Sequence, residues 1–157
     1  GKVTTAEYIN YLYQLLMIYD PIEFGCKVQG FFKNLEGLYR LSNLYQDYQE
    51  LAGPDQPGRW LPETLAYHNY LIELLNEPAR RHLIKAHLYV RHGGDLSGGQ
   101  AIAQQVPGSG KLYAFVNLPA LKQGLLEQLD PDELAEEART AFTWNLQLLY
   151  ALSPGKC

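Results

Sequence analysis

The chain has 157 residues and a formal net charge of −4 at pH 7. Its length suits one domain, residues 1–157, and its composition, 46% hydrophobic and 19% charged, is typical of globular proteins rather than disordered chains. The negative charge, without a cluster of Lys and Arg, argues against nucleic acid as a partner.

Cys26 and Cys157 are too few for a disulfide framework, and Cys26 is expected to be a buried thiol. No stretch has the length of a membrane span or the pattern of a signal peptide, so a soluble protein of the cytoplasm or an organelle stroma is expected.

The first third of the chain is predicted to be helical. Thr4 or Thr5, with Glu7 following, has the pattern of a capping box at a helix start. Apolar residues then recur at helical spacing from Tyr8 onward. Pro21 is expected to end or kink this helix, because proline restricts the residue before it. A second apolar helix is predicted over residues 22–35.

The remaining elements are also predicted to be helices, over residues 36–51, 62–75, 79–105 and 119–129. Residues 53–58 and 106–111 are rich in Gly and Pro and are predicted loops; the second lacks the full pattern of a phosphate-binding loop. Asp130, Pro131 and Glu133 form a strong helix start, and the last helix is expected to reach about Leu152. No alternating strand pattern occurs. The predicted fold class is an all-α, single-domain helical bundle.

Residues 86–100, AHLYVRHGGDLSGGQ, carry four glycines within seven residues of one predicted helix. Each glycine in a helix interior costs about 0.5–1 kcal/mol relative to alanine. Gly94 and Gly98 are four residues apart and share one face, which is bare backbone that a flat ligand can approach. Arg91 and Asp95 stand one turn apart on the neighbouring row and can form an ion pair. The alternative interpretation is a flexible loop between two helices.

The run HLYVRHGGDLSGGQ resembles the distal-helix signature of the haem oxygenase family. EEARTAFTWNLQLL, residues 136–149, resembles the last core helix of that family, and weaker similarity covers residues 3–19 and 35–53. The resemblance implies the haem oxygenase fold and oxidative cleavage of haem to biliverdin, with release of iron and carbon monoxide. Haem would be both substrate and cofactor. Molecular oxygen, and electrons from an external reductase or ferredoxin acting as a redox partner protein, would complete the reaction.

The resemblance also implies catalytic residues. Asp95 matches the distal aspartate, which holds a water network that delivers protons to iron-bound oxygen. Arg91, Tyr19 and Asn145 match positions that help to hold this network. An ordinary salt bridge between Arg91 and Asp95, and plain packing of Tyr19, remain alternative interpretations.

The resemblance implies haem-binding residues as well. Gly94 and Gly98 would let the helix backbone lie over the porphyrin, and Phe142 would line the pocket unless it is simply a core residue. Lys122 and Tyr89 match positions that bind the haem propionates; the alternative interpretation of Lys122 is an ordinary solvated lysine on a helix. His92 stands where the family often has an aromatic residue and, by position alone, is expected to face the pocket.

The sequence departs from the family in two places. The arginine that usually follows the propionate-binding lysine by one turn is absent from residues 124–128. None of the four histidines, His68, His82, His87 and His92, matches the iron ligand of the family, which lies on a preceding helix, so no metal ligand is assigned. We expect the chain to be a truncated form, with a naturally shortened relative as the alternative, and we expect the surface exposed by a missing helix to favour a dimer.

Two other functions stay open. The first is a non-catalytic haem- or tetrapyrrole-binding relative that lacks the proximal ligand. The second is a helical protein acting on another small molecule, since the thiamin-degrading proteins share this general architecture.

Overall fold

The computed structural model describes residues 3–54 and 58–153, and every regular element in this part of the chain is a helix. Short 3-10 helices precede α2, α4 and α5 and are formed by Glu36–Leu38, Arg81–Leu83 and Lys111–Tyr113. The six longer helices are α1 (Thr5–Val28), α2 (Leu41–Ala52), α3 (Pro62–Asn76), α4 (Ile84–Ala103), α5 (Leu118–Glu127) and α6 (Pro131–Leu152). The predicted all-α class is confirmed. None of the described helices combines the length and apolar character needed to cross a membrane.

Helix α1 begins with the predicted capping box but does not end at the proline. The Thr4 hydroxyl accepts from the backbone N–H of Glu7, whose carboxylate accepts in turn from the Thr4 N–H, both at 3.1 Å. The helix then continues through Pro21 to Val28. Of the two predicted outcomes, an end or a kink at Pro21, the end is therefore wrong, and the predicted second helix over residues 22–35 is wrong as a separate element because α1 includes its first part. Proline leaves the carbonyl four residues earlier, that of Met17, without its helical donor. The Nδ1 atom of His68, on α3, lies 2.8 Å from this carbonyl oxygen and replaces that donor.

The predicted helix over residues 36–51 is divided into a 3-10 turn and α2. The cause is a carboxylate from another helix. Glu23 of α1 accepts from the backbone N–H groups of Arg40, at 2.6 Å, and Leu41, at 3.2 Å. These donors begin α2 and have no partner within their own helix, so α2 begins where Glu23 reaches them.

Helix α1 packs against α2, α3 and α4, and α4 packs in turn against α6. The buried residues of these helices form one hydrophobic cluster, in which Leu12, Leu15 and Ile18 of α1 are fully buried. Burying a side chain of this size contributes about 1.5–3 kcal/mol. Cys26 is also fully buried, as expected, whereas Cys157 lies outside the described residues.

Helix α4 runs without interruption through all four glycines, so the loop interpretation of residues 86–100 is wrong. One glycine has a packing role: a Cβ atom on Gly99 would lie only 2.7 Å from Cδ1 of Tyr113. The helix is therefore held by a close approach at Gly99 and by the burial of Leu88 and Leu96. Helix α6 begins at Pro131, where the Asp130 side chain accepts from the N–H of Asp132, as predicted.

Candidate functional site

A groove of about 460 Å³ lies along the glycine face of α4, between α5 and α6. Its walls are mostly apolar and are formed by Tyr89, Val90, Gly93, Gly94, Leu96, Ser97, Lys122, Leu125, Leu126 and Phe142. A Cβ atom built on Gly94 or on Gly98 would meet no atom within 4 Å. The bare face predicted from the sequence is therefore present: Gly94 lines the groove, and Gly98 is exposed one turn further along α4.

A buried polar network adjoins the groove on the next residue of α4. Asp95 is 5% exposed, and Tyr19 of α1 donates a hydrogen bond to its Oδ2 atom. The Arg91 Nη2 atom is 3.9 Å from Oδ1 of Asp95, which makes the predicted ion pair one turn apart. Arg91 also donates to the Asn145 side chain at 3.1 Å and to the Tyr11 hydroxyl at 3.0 Å.

The network joins three helices through one guanidinium group. Tyr11 and Tyr19 lie on α1, Arg91 and Asp95 on α4, and Asn145 on α6. Arg91 donates a further hydrogen bond to the Tyr19 hydroxyl at 3.2 Å, so Tyr19 bonds both members of the ion pair. The structure thus brings together all four residues that the resemblance marks as catalytic.

Burial sets the proton affinities in this network. Desolvation raises the pKa of Asp95 above that of an ordinary carboxyl group, although Arg91, His92 and the hydrogen bond from Tyr19 act against it. Burial also raises the pKa of the Tyr19 phenol well above its usual value. The phenol therefore stays protonated and can donate, while Asp95 can hold a proton at a higher pH than an exposed aspartate.

His92 lies in a different position from the one expected. Its side chain is fully buried rather than part of the groove wall, and its Nε2 atom is 2.7 Å from the Glu23 carboxylate. Its ring stacks on Tyr19 with a centroid separation of 4.8 Å. The reason is helical geometry: His92 is two residues from Gly94 and so points away from the groove, toward α1.

The remaining predicted residues line the groove. Lys122 is half-buried and has no ion-pair partner among the described residues, so its ammonium group is available to a ligand. Tyr89 is 41% exposed and Phe142 is 58% exposed. Phe142 is thus a groove residue in this structure rather than part of the core.

Tyr11 of the network, and two buried polar residues near it, could not be identified from the sequence. Glu23 is 1% exposed and links His92 to the start of α2, and Arg40 lies within the same buried region at 5% exposure. The sequence does contain one indication for Glu23, because it is the single acid in the apolar stretch PIEFGC. A carboxylate buried in such a stretch requires hydrogen-bond partners. Tyr11 carried no signal that separates it from the many other tyrosines of the chain.

A second buried polar cluster lies away from the groove. The Glu137 carboxylate of α6 is 2.7 Å from Nε2 of His87 and accepts from the Tyr70 hydroxyl at 2.6 Å. The other ring nitrogen of His87 is 2.6 Å from the Tyr67 hydroxyl. This cluster connects α3, α4 and α6. Among residues 3–54 and 58–153, no group of three or more His, Cys, Asp or Glu side chains is arranged to hold a metal ion.

The helical bundle has known counterparts. The family model described as Heme oxygenase matches residues 1–151. Heme oxygenase 1 of Homo sapiens is 34% identical over 142 residues, which cover 74% of this chain and 48% of that protein. Heme oxygenase 1 of Pongo abelii is 36% identical over 142 residues, with the same coverage. The chain therefore spans about half the length of these curated relatives.

Solved structures show the same fold. Heme oxygenase-1 of the cyanobacterium Synechocystis sp. PCC6803, in complex with heme, matches with a TM-score of 0.80 at 24% identity, covering 97% of this chain and 79% of that one. Heme oxygenase-2 of Synechocystis sp. PCC 6803, in complex with heme and NO, matches with a TM-score of 0.78 at 25% identity, covering 97% and 73%. The fold is that of the haem oxygenases. The chain belongs to the haem oxygenase family.

Proposed function

We propose that this protein degrades haem: it binds haem in the groove on α4 and opens the ring to biliverdin, with release of iron and carbon monoxide. The observation that carries the proposal is the position of Asp95. Its carboxylate is buried and bonded to Tyr19, while the preceding residue, Gly94, is open to the groove. A proton-holding group thus lies directly beside a face that a flat ligand can reach.

Three properties of the groove support the proposal that it binds haem. Its volume of about 460 Å³ is within the ordinary range for small-molecule sites. Gly94 leaves space that any Cβ atom would fill, so a planar ring can lie against the α4 backbone. Most of the other walls are apolar, with Phe142 opposite and Lys122 as a cation for a carboxylate substituent.

Bound haem would supply an iron centre at which dioxygen is reduced with electrons from a reductase or ferredoxin. The protein would supply protons. Asp95 can take up a proton from water, because burial raises its pKa, and can release it toward the groove past the bare backbone of Gly94. Tyr19 and Arg91 hold the Asp95 carboxylate in one orientation, and Asn145 holds Arg91.

Two side chains would orient the ring. Lys122 would pair with one propionate, and the Tyr89 hydroxyl would donate a hydrogen bond at the same mouth of the groove. Phe142, exposed on α6, would cover an edge of the ring and lose its contact with water on binding.

A non-catalytic tetrapyrrole-binding protein is the second candidate. The observation that favours it is that no histidine is among the groove-lining residues in the described part of the chain. The two functions differ in whether bound haem turns over once an iron ligand is present.

Haem titration of the 157-residue chain, with and without imidazole as an added iron ligand, tests binding, and biliverdin formation with a chemical or enzymatic reductant tests turnover. Asp95→Asn should bind haem within about twofold of the native affinity and form biliverdin at least tenfold more slowly, since proton transfer by a positioned group contributes about 10²–10⁴. Asp20→Asn, which changes an exposed aspartate on α1, is the matched control and should leave haem affinity and the rate of biliverdin formation unchanged.

Binding without turnover in the native chain would support the second candidate. Turnover by Asp95→Asn at the native rate would refute the role of the network, and no binding under either condition would refute both functions.

A further inference from the structure

A second cavity, of about 200 Å³, adjoins the groove at the junction of α5 and α6. The two spaces share Tyr89 and Leu126 in their walls, so they are neighbours that these two side chains separate. The second cavity is apolar: its walls include Leu134 and the small residues Ala86 and Ala138, whose size leaves the space open. Nothing in the proposed reaction requires this cavity.

The charges around the two spaces are unequal. Lys122 is the one cation in the walls of either space in the described part of the chain. One turn further along α5, where a second cation could pair with a second carboxylate, the chain has Leu126, which is 62% exposed. Asp130 lines the second cavity, and Asp132 and Glu133 follow it in the first turn of α6. Of these three acids only Asp130 is in the cavity wall, and Glu133 is paired with His82 and Lys85. A carboxylate directed toward this end would therefore meet apolar walls and the Asp130 side chain.

Haem carries two propionates on one edge of the ring, and Lys122 is the single cation in the walls of the two spaces in the described part of the chain. An apolar group in place of one propionate would leave one carboxylate for Lys122 and place no negative charge beside Asp130. We propose that the second cavity is a subsite for an apolar substituent on the ring that occupies the groove, with Leu126 as the residue that sets this preference. The preferred ligand is then a tetrapyrrole with one free carboxylate, held by Lys122, and an apolar arm, such as an alkyl ester, in place of the other. The inference rests on the proposed function for the tetrapyrrole itself.

Tyr89 is compatible with either ligand. Its hydroxyl can donate a hydrogen bond to a carboxylate or to the carbonyl oxygen of an ester, so it does not select on charge. The selection comes from burial of the arm. Each methylene group removed from water is worth about fourfold in affinity, so a four-carbon chain that is only partly buried gives at least about tenfold.

The test compares haem with its mono-n-butyl ester, each titrated into the 157-residue chain in the presence of imidazole. We expect the ester to bind at least tenfold more tightly. Leu126→Arg adds a cation one turn from Lys122 and should reverse the preference, with haem at least fivefold tighter than the ester. Ala138→Phe should fill the second cavity and remove the preference for the ester, while haem affinity stays within about twofold. Ala66→Phe, on the exposed side of α3, is the matched control and should retain the native preference.

The outcomes separate this inference from the proposed function. If haem binds and the butyl ester binds equally or more weakly, the subsite is wrong and the haem groove stands. If Ala138→Phe retains the full preference for the ester, the arm does not occupy the second cavity and the inference is overturned. If neither ligand binds the native chain, the proposed function fails together with the inference.

Discussion

Replacing Gly94 with leucine should separate ligand binding from folding. Position 94 is interior to α4, and a Cβ atom there meets nothing within 4 Å, so a side chain can begin at this position without a clash. A leucine in a helix interior is favoured over glycine by about 0.8 kcal/mol. For a chain of this length, that gain raises the midpoint of thermal unfolding by about 1–3 °C. The same side chain extends into the groove, so haem affinity should fall at least tenfold, or about 1.4 kcal/mol.

Gly99→Ala is the matched control, because it lies on the same helix but against Tyr113. Its Cβ atom would be 2.7 Å from Cδ1 of that ring, so the substitution overpacks the core and should cost about 1–3 kcal/mol. Haem affinity per folded molecule should be unchanged. Thermal unfolding followed by circular dichroism, and haem titration followed at the Soret band, measure the two effects. Native haem affinity in Gly94→Leu would refute the argument that the bare face is the ligand face.

Three further predictions concern the buried polar groups. Glu137→Ala leaves His87 and the Tyr70 hydroxyl without their shared acceptor and should lower the free energy of unfolding by about 3–5 kcal/mol, measured in urea, with Glu137→Gln less affected. Hydrogen bonds from His87 and Tyr70 outweigh burial and hold the pKa of Glu137 below 4.5, and those from His92, Arg40 and Leu41 do the same for Glu23. The two carboxylates therefore stabilise the folded protein fully above pH 4.5, and this stabilisation is lost as the pH falls below that value. The free energy of unfolding of Glu23→Gln should depend less steeply on pH in this range. An unchanged slope would contradict the stabilising role of the Glu23 carboxylate. Tyr19→Phe should retain haem binding and reduce biliverdin formation, and an equal loss of both would mean that Tyr19 acts only in packing.

Features set by neighbouring residues were predictable from the sequence. The capping box of α1 and the N-cap of α6 depend on residues within one helical turn, and the two helices begin where Thr4 and Asp130 indicate. The pairing of Arg91 with Asp95, and the common face of Gly94 and Gly98, follow from helical spacing alone. The resemblance to a family then connected these local features with a function.

Features set by distant residues were not predictable. Pro21 is interior to α1 because His68, 47 residues later, lies against the carbonyl that proline leaves unpaired. Helix α2 begins at Leu41 because a carboxylate of α1 accepts from its first N–H groups. His92 bonds Glu23, 69 residues away, instead of facing the groove. In each case, a buried polar group finds its partner on another helix, and spacing along one helix contains no information about that partner.

The glycine face and the buried aspartate are two parts of one arrangement. Within a single turn of α4, Gly94 is exposed to the groove while Asp95 is 5% exposed, so the helix backbone itself separates the groove from the network. A side chain at position 94 would widen that barrier, whereas glycine reduces it to the thickness of the main chain. On the proposed function, glycine at position 94 offsets its cost to the helix, because the bare backbone lets the ring approach and keeps the Asp95 carboxylate close to the bound ligand. A variant with a side chain at position 94 that still binds haem should therefore form biliverdin more slowly than the native chain.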